Sequence, residues 1–176
     1  MRKVLIFVLA VACVFCSASC SFTEWMIFPT AGEEELISEA LELDVSGGKI
    51  THFENTHGGF HGDGYLYAEV SFENNDFREK IASAWKPLPL TENLKIVCYG
   101  GVDKDGYSCA PHIKDEDGNP RLPQIDSGFY YFKDRFNEYM TDRSDDSKLF
   151  DRGSVNYTLA IYNTDAKRLY VFEFDT

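Results

Sequence analysis

Val155-Asn156-Tyr157-Thr158-Leu159-Ala160-Ile161-Tyr162 and Arg168-Leu169-Tyr170-Val171-Phe172-Glu173-Phe174 are two runs rich in β-branched and aromatic residues. Such residues suit a pleated, half-buried surface. Between them lies Asn163-Thr164-Asp165-Ala166, a cluster of turn formers. The stretch predicts an antiparallel hairpin.

Further strands are read upstream. Gly128 to Lys133 is one, and Leu94 to Tyr99 another. Tyr65 to Glu73 alternates clearly: Leu66, Ala68, Val70 and Phe72 point one way, Tyr67, Glu69 and Ser71 the other. Lys49 to Asn55 precedes it. Two helices are expected. Gly32 to about Leu43 begins with Glu33, Glu34 and Glu35, acids that suit the positive end of a helix dipole. The second starts at Asn74 or Asn75 and carries Phe77, Ile81, Ala84 and Trp85 on one stripe. Pro87 and Pro89 end it. Residues 134–152 read as a charged, solvated excursion. Helix, two strands, helix and four strands show no regular alternation, which argues against a doubly wound parallel sheet. The expected class is α+β, a mostly antiparallel sheet with two helices on one face.

Several segments resemble those of a group of small exported bacterial proteins. They are Thr56-His57-Gly58-Gly59-Phe60-His61-Gly62-Asp63-Gly64, Leu88-Pro89-Leu90-Thr91-Glu92-Asn93-Leu94, Asp117-Gly118-Asn119-Pro120, Gly128-Phe129-Tyr130-Tyr131 and Leu159-Ala160-Ile161-Tyr162-Asn163-Thr164-Asp165. The resemblance covers about residues 36–176. It implies one domain and a bacterial source, and carries no known activity.

The N-terminus predicts export. Arg2 and Lys3 precede an unbroken apolar run, Val4 to Phe15. That run is shorter than the roughly 20 residues a membrane-spanning helix needs and fits the h-region of a secretory signal. Ser17, Ala18 and Ser19 then lead to Cys20. A small-small-Cys ending resembles a bacterial lipobox, in which the Cys thiol receives a diacylglyceryl group. Residues 1–19 are therefore read as the signal peptide, Cys20 as a lipidation site, residues 20–31 as a tether and 32–176 as a single domain. Cleavage after Ser19 without lipid, giving a secreted protein, is the alternative.

The formal net charge is −12. A surface of that sign repels nucleic acid and anionic headgroups, so nucleic-acid binding is excluded as a reading. Of five cysteines, Cys13 and Cys16 leave with the signal and Cys20 is taken by lipid. Cys98 and Cys109 remain, a pair that reads as a disulfide in an oxidising compartment. Free thiols are one alternative. Another is zinc, through Cys98, Cys109 and His112.

Candidate chemistry centres on His57, His61 and Asp63. Two imidazoles and a carboxylate fall in a glycine-rich segment that lets the backbone fold tightly. They suit a divalent metal or an acid–base pair. The plainer reading is a hairpin turn, with Asp63-Gly64 as the turn signal. Asp115-Glu116-Asp117-Gly118-Asn119 is an acidic turn with a partial calcium-loop pattern, broken by Pro120 at the glycine position. The aromatic runs Phe129–Phe132 and Tyr170, Phe172, Phe174 read as sheet packing, with a carbohydrate or peptide platform as the alternative. No G-x-S-x-G, P-loop or dinucleotide fingerprint is present. The expectation is a lipid-anchored, non-catalytic binding module of the cell envelope, needing no cofactor, with an envelope or extracellular partner. The alternative is a small metal-dependent or acid–base enzyme built on His57, His61 and Asp63.

Overall fold

Leu66, Ala68 and Val70 alternate with Tyr67 along one strand, and all four are buried. A strand buried on both faces must lie between two layers. The computed structural model describes residues 31–58, 62–136 and 142–176. The predicted signal, Cys20, the tether up to residue 30, and His61 lie outside those residues.

The elements are α1 (Glu33–Leu41), β1 (Lys49–Asn55), β2 (Gly64–Ser71), α2 (Asp76–Ile81), β3 (Lys86–Pro87), α3 (Glu92–Tyr99), β4 (Gly101–Val102), β5 (Ser108–Cys109), β6 (Gly128–Asp134), β7 (Tyr157–Asn163) and β8 (Arg168–Asp175). Six strands form one sheet in the order β1-β2-β8-β7-β6-β3, every neighbouring pair antiparallel. β4 and β5 form a separate ribbon. The class is α+β with a mostly antiparallel sheet, as the sequence predicts. The β7–β8 hairpin runs in unbroken register from Tyr157↔Phe174 to Asn163↔Arg168. Asn163 Oδ1 holds its turn by accepting from Asp165 N and Ala166 N.

One face is covered by α1 and α2. Ile37 and Leu41, one helical turn apart, and Phe77 and Ile81, likewise, cover Leu66, Ala68, Val70, Ala160, Tyr162, Leu169 and Val171. Phe72 stacks on Phe77 with centroids 4.3 Å apart, and Trp85 meets Phe77 edge-on at 6.1 Å. The other face carries Tyr67, Tyr130, Phe132, Tyr157, Leu159, Ile161, Tyr170 and Phe172. It is covered by α3 together with Ile113, Leu122 and Leu149.

α3 corrects one expectation, since Leu94 to Tyr99 is helical rather than a strand. Thr91 Oγ1 accepts from Leu94 N at 3.3 Å, capping the helix, and Gly100, at φ 74°, ends it. With helical spacing Leu94, Val97 and Cys98 all reach the core. A second correction concerns the cysteines. Cys98 and Cys109 are free thiols, not a disulfide. The helical turn buries Cys98 among the sheet's aromatics, whereas Cys109 sits half-buried on β5, paired across the ribbon with Gly101. Burial pushes the Cys98 thiol up to about 12.

The 134–152 region is not a solvated excursion where it is described. Asp134 is 1% exposed and takes two bonds from Arg152, at 2.7 and 2.9 Å. Asp146 is also buried, accepting from Thr91 Oγ1 at 2.5 Å, and its carbonyl accepts from Asn93 Nδ2. These bonds tie the segment to α3.

Asp63-Gly64 is likewise not a two-residue turn. β1 ends at Asn55 and β2 begins at Gly64, so eight positions separate the two strands. The legs of this connection are closed by Thr56 N donating to Tyr65 O at 2.8 Å. Gly64 has φ 148°, and a Cβ there would lie 2.8 Å from His57 Cα and N. Only glycine lets the legs come so close. Gly128, at φ 150°, is tighter still, its hypothetical Cβ 1.8 Å from Tyr162 O.

At the sheet's margins, β1 carries an irregularity between Ile50 and His52, and β3 is two residues long and contains Pro87. No described helix is long and apolar enough to cross a membrane.

Candidate binding cleft

β1 and β2 place His52, Glu54, Tyr65, Tyr67 and Glu69 toward the α3 face, because alternate residues share a side. β8 adds Phe172 and Phe174 beside them through the pairs Tyr67↔Phe172 and Tyr65↔Phe174. Here the cover is loop rather than helix, and it leaves a cleft of about 450 Å³. Glu54, Tyr65, Arg121, His112, Lys114 and Phe174 are among its lining residues.

Arg121 organises one rim. Its Nη1 donates to Glu54 Oε2 at 2.8 Å and its Nη2 to His52 Nε2 at 2.6 Å. The guanidinium lies 4.3 Å over the Tyr67 ring, a cation–π placement. Tyr65 donates its hydroxyl proton to Glu54 Oε1. The Tyr65 and Arg121 hydrogen bonds hold the Glu54 carboxyl below its ordinary range, and the same Tyr65 bond raises the phenol.

The segment 112–116 adjoins Arg121, whose backbone N donates to Ile113 O at 2.9 Å. His112 is wedged among rings, 5.0 Å from Phe174 and 6.0 Å from Tyr157. Its Nδ1 shares a 2.9 Å hydrogen bond with the Tyr157 hydroxyl. Burial, aided by Lys114, lowers its pKa, so the ring is neutral at pH 7. Asp115 folds the turn onto itself by accepting from Asn119 N at 2.8 Å and Asp117 N at 3.0 Å. Those bonds use the carboxylate within the turn, which is what an acidic surface turn requires.

Of the predicted trio, the described members His57 and Asp63 do not line this cleft. His57 sits on the α1 side, lining a hollow of about 340 Å³ with Glu39, Arg135 and Glu173. Its Nε2 bonds Asp175 Oδ2 at 3.0 Å and its Nδ1 bonds Asn55 Oδ1 at 2.9 Å. Arg135 ties Asp175 (2.9 Å) to Glu173 (3.1 Å). Burial raises the Glu173 carboxyl despite Arg135. Asp63 is exposed, so His57 is engaged by Asp175 at the far end of the chain rather than by its sequence neighbour. His112 uses its Nδ1 on Tyr157, and among the described residues no group of three metal-ligating side chains converges. Arg121 and Glu54, 67 positions apart, carried no sequence signal that would have joined them.

No family model, no curated protein and no solved structure matches the chain.

Proposed function

We propose that the chain is an exported, lipid-anchored, non-catalytic binding module of the bacterial cell envelope, and that its ligand occupies the cleft under Arg121. The carrying observation is that three of the cleft's titratable groups are held by their partners and burial with pKa values moved further from pH 7. Glu54 is held low, Tyr65 is raised and His112 is lowered. A general acid or base works best with a pKa near the operating pH, whereas fixed, fully formed hydrogen-bonding groups beside aromatic rings suit recognition. The N-terminal pattern Arg2-Lys3, Val4–Phe15 and Ser17-Ala18-Ser19-Cys20 supports export and acylation.

The anchor and the cleft are tested on the full chain. Wild type should fractionate with membranes and carry lipid mass on its N-terminal peptide, and Cys20→Ala should release it. Phenol, used as an aromatic probe, should shift backbone amide resonances of Tyr65, Ile113 and Arg121 in nuclear magnetic resonance spectra. An N-terminal peptide without lipid overturns the anchor. Phenol shifts scattered over the surface overturn the cleft.

A further inference from the structure

Aromatic rings floor the cleft. Tyr65 and Phe172 have centroids 6.0 Å apart at 33°, and Phe172 and Phe174 are 5.8 Å apart at 19°. Tyr65 on β2 and Phe174 on β8 are only partly buried, whereas Phe172 between them is buried, and Phe174 is packed between Phe172 and His112. The π faces of such rings are electron-rich. A partly exposed ring such as Tyr65 complements the apolar C–H face of a pyranose, whose hydrogens are slightly positive.

Beside Tyr65 stands the Glu54–Arg121 pair. Each Glu54 oxygen accepts one bond and retains lone-pair capacity. Arg121 uses Nη1 and Nη2 and has further N–H groups to offer. An acceptor and a donor are thus fixed side by side, each bracing the other. Two adjacent sugar hydroxyls, each able to give and take a hydrogen bond, match that arrangement.

Charge selects further. Arg121 and Lys114 face three carboxylates, Glu54, Asp115 and Glu116, within the cleft. The near balance, on a chain of net charge −12, disfavours a phosphate or an acidic ligand and leaves a neutral one. A second hollow of about 400 Å³ shares His112, Lys114 and Phe174 with the first and extends toward Phe150 and Cys109. An extended peptide would seek a free strand edge, but β2 and β8 are paired on both sides throughout the floor.

We propose that the cleft binds a neutral oligosaccharide, with one pyranose against the Tyr65 ring, its vicinal hydroxyls on Glu54 and Arg121, and the next unit running past His112. This rests on the cleft being the binding site.

The full chain is titrated with cellohexaose, maltohexaose, chitohexaose and tetra-alanine, with phenol as the control probe, following the same amide resonances. At least one hexasaccharide should shift Tyr65, Ile113 and Arg121. Arg121→Gln and Tyr65→Leu should each weaken it by about tenfold or more, roughly the loss of one directional contact. Tyr65→Leu retains an apolar side chain, and unchanged spectra away from the cleft confirm that each variant is folded. If phenol shifts the cleft and no hexasaccharide does, or tetra-alanine binds more tightly than every sugar, the carbohydrate proposal falls while the cleft stands. If phenol fails as well, both fall. Sugar binding that neither variant weakens also overturns the proposal.

Discussion

The two faces of the sheet are built from the same strands and closed by different means. On one, regular helices lay Ile37, Leu41, Phe77 and Ile81 onto aliphatic and aromatic neighbours, and the interior is almost wholly apolar. On the other, α3 closes only part of the surface, and loops carrying His112, Lys114, Arg121 and Asp146 close the rest. A helix presents side chains at a fixed spacing and can seal a flat surface. A loop must satisfy its own backbone and brings polar groups with it. The contrast teaches that the cleft arises where helical cover stops, and that its polarity comes from the loop cover together with Glu54 and Tyr65 on the strands beneath.

The contrast breaks first where the dry face is emptied. Phe77→Ala removes a ring that touches Phe72, Trp85 and Tyr162. Large-to-small changes of this kind cost about 3–5 kcal/mol, read as a lower denaturation midpoint in urea. A loss under about 1 kcal/mol would mean that the helical face is looser than the packing implies.

The wet face should answer to pH instead. His112 has a folded-state pKa lowered by burial and by Lys114. Below the ordinary histidine value the unfolded chain therefore binds a proton that the folded chain refuses. Stability from this group is fully present above about pH 6.5 and is lost as pH falls through the folded value. Urea midpoints of wild type and His112→Gln between about pH 7.5 and 5 should diverge, with wild type the steeper. Parallel curves would remove His112 from the account.

The smallest effect carries the opposite sign. The Tyr162 hydroxyl is buried on the helical face with no partner among the described residues. Tyr162→Phe deletes an unsatisfied polar atom and keeps the ring, so stability should be unchanged or higher by up to about 1 kcal/mol. A clear loss would reveal a bond at that hydroxyl and make the helical face less dry than described.

Sequence legibility follows the same division. β1 falls on Lys49–Asn55 as expected, and the β7–β8 hairpin and both helices of the dry face are legible, because each rests on local alternation or i, i+4 spacing. α3 was missed because Leu94, Ile96, Val97 and Cys98 mix β-branched and apolar residues in a short run that fits either period. The deciding signal was Thr91 as a cap with Gly100 after the last turn. The disulfide expectation rested on cysteine count and compartment, neither of which says that Cys98 packs into the core while Cys109 lies on the β4–β5 ribbon. The cleft joins β1, β2, β8 and the 112–121 segment, and His57 finds Asp175 118 positions away. Such meetings are products of topology, so no local window contains them.

The irregular β1 and the Pro-bearing two-residue β3 have a consequence for how the molecule tolerates crowding. They are the two outer strands of the sheet. A long, flat outer strand is a template on which a second chain can add itself. Here one template is kinked and the other is short and lacks a donor at Pro87. Neither outer strand therefore offers a long, flat template to a neighbouring copy.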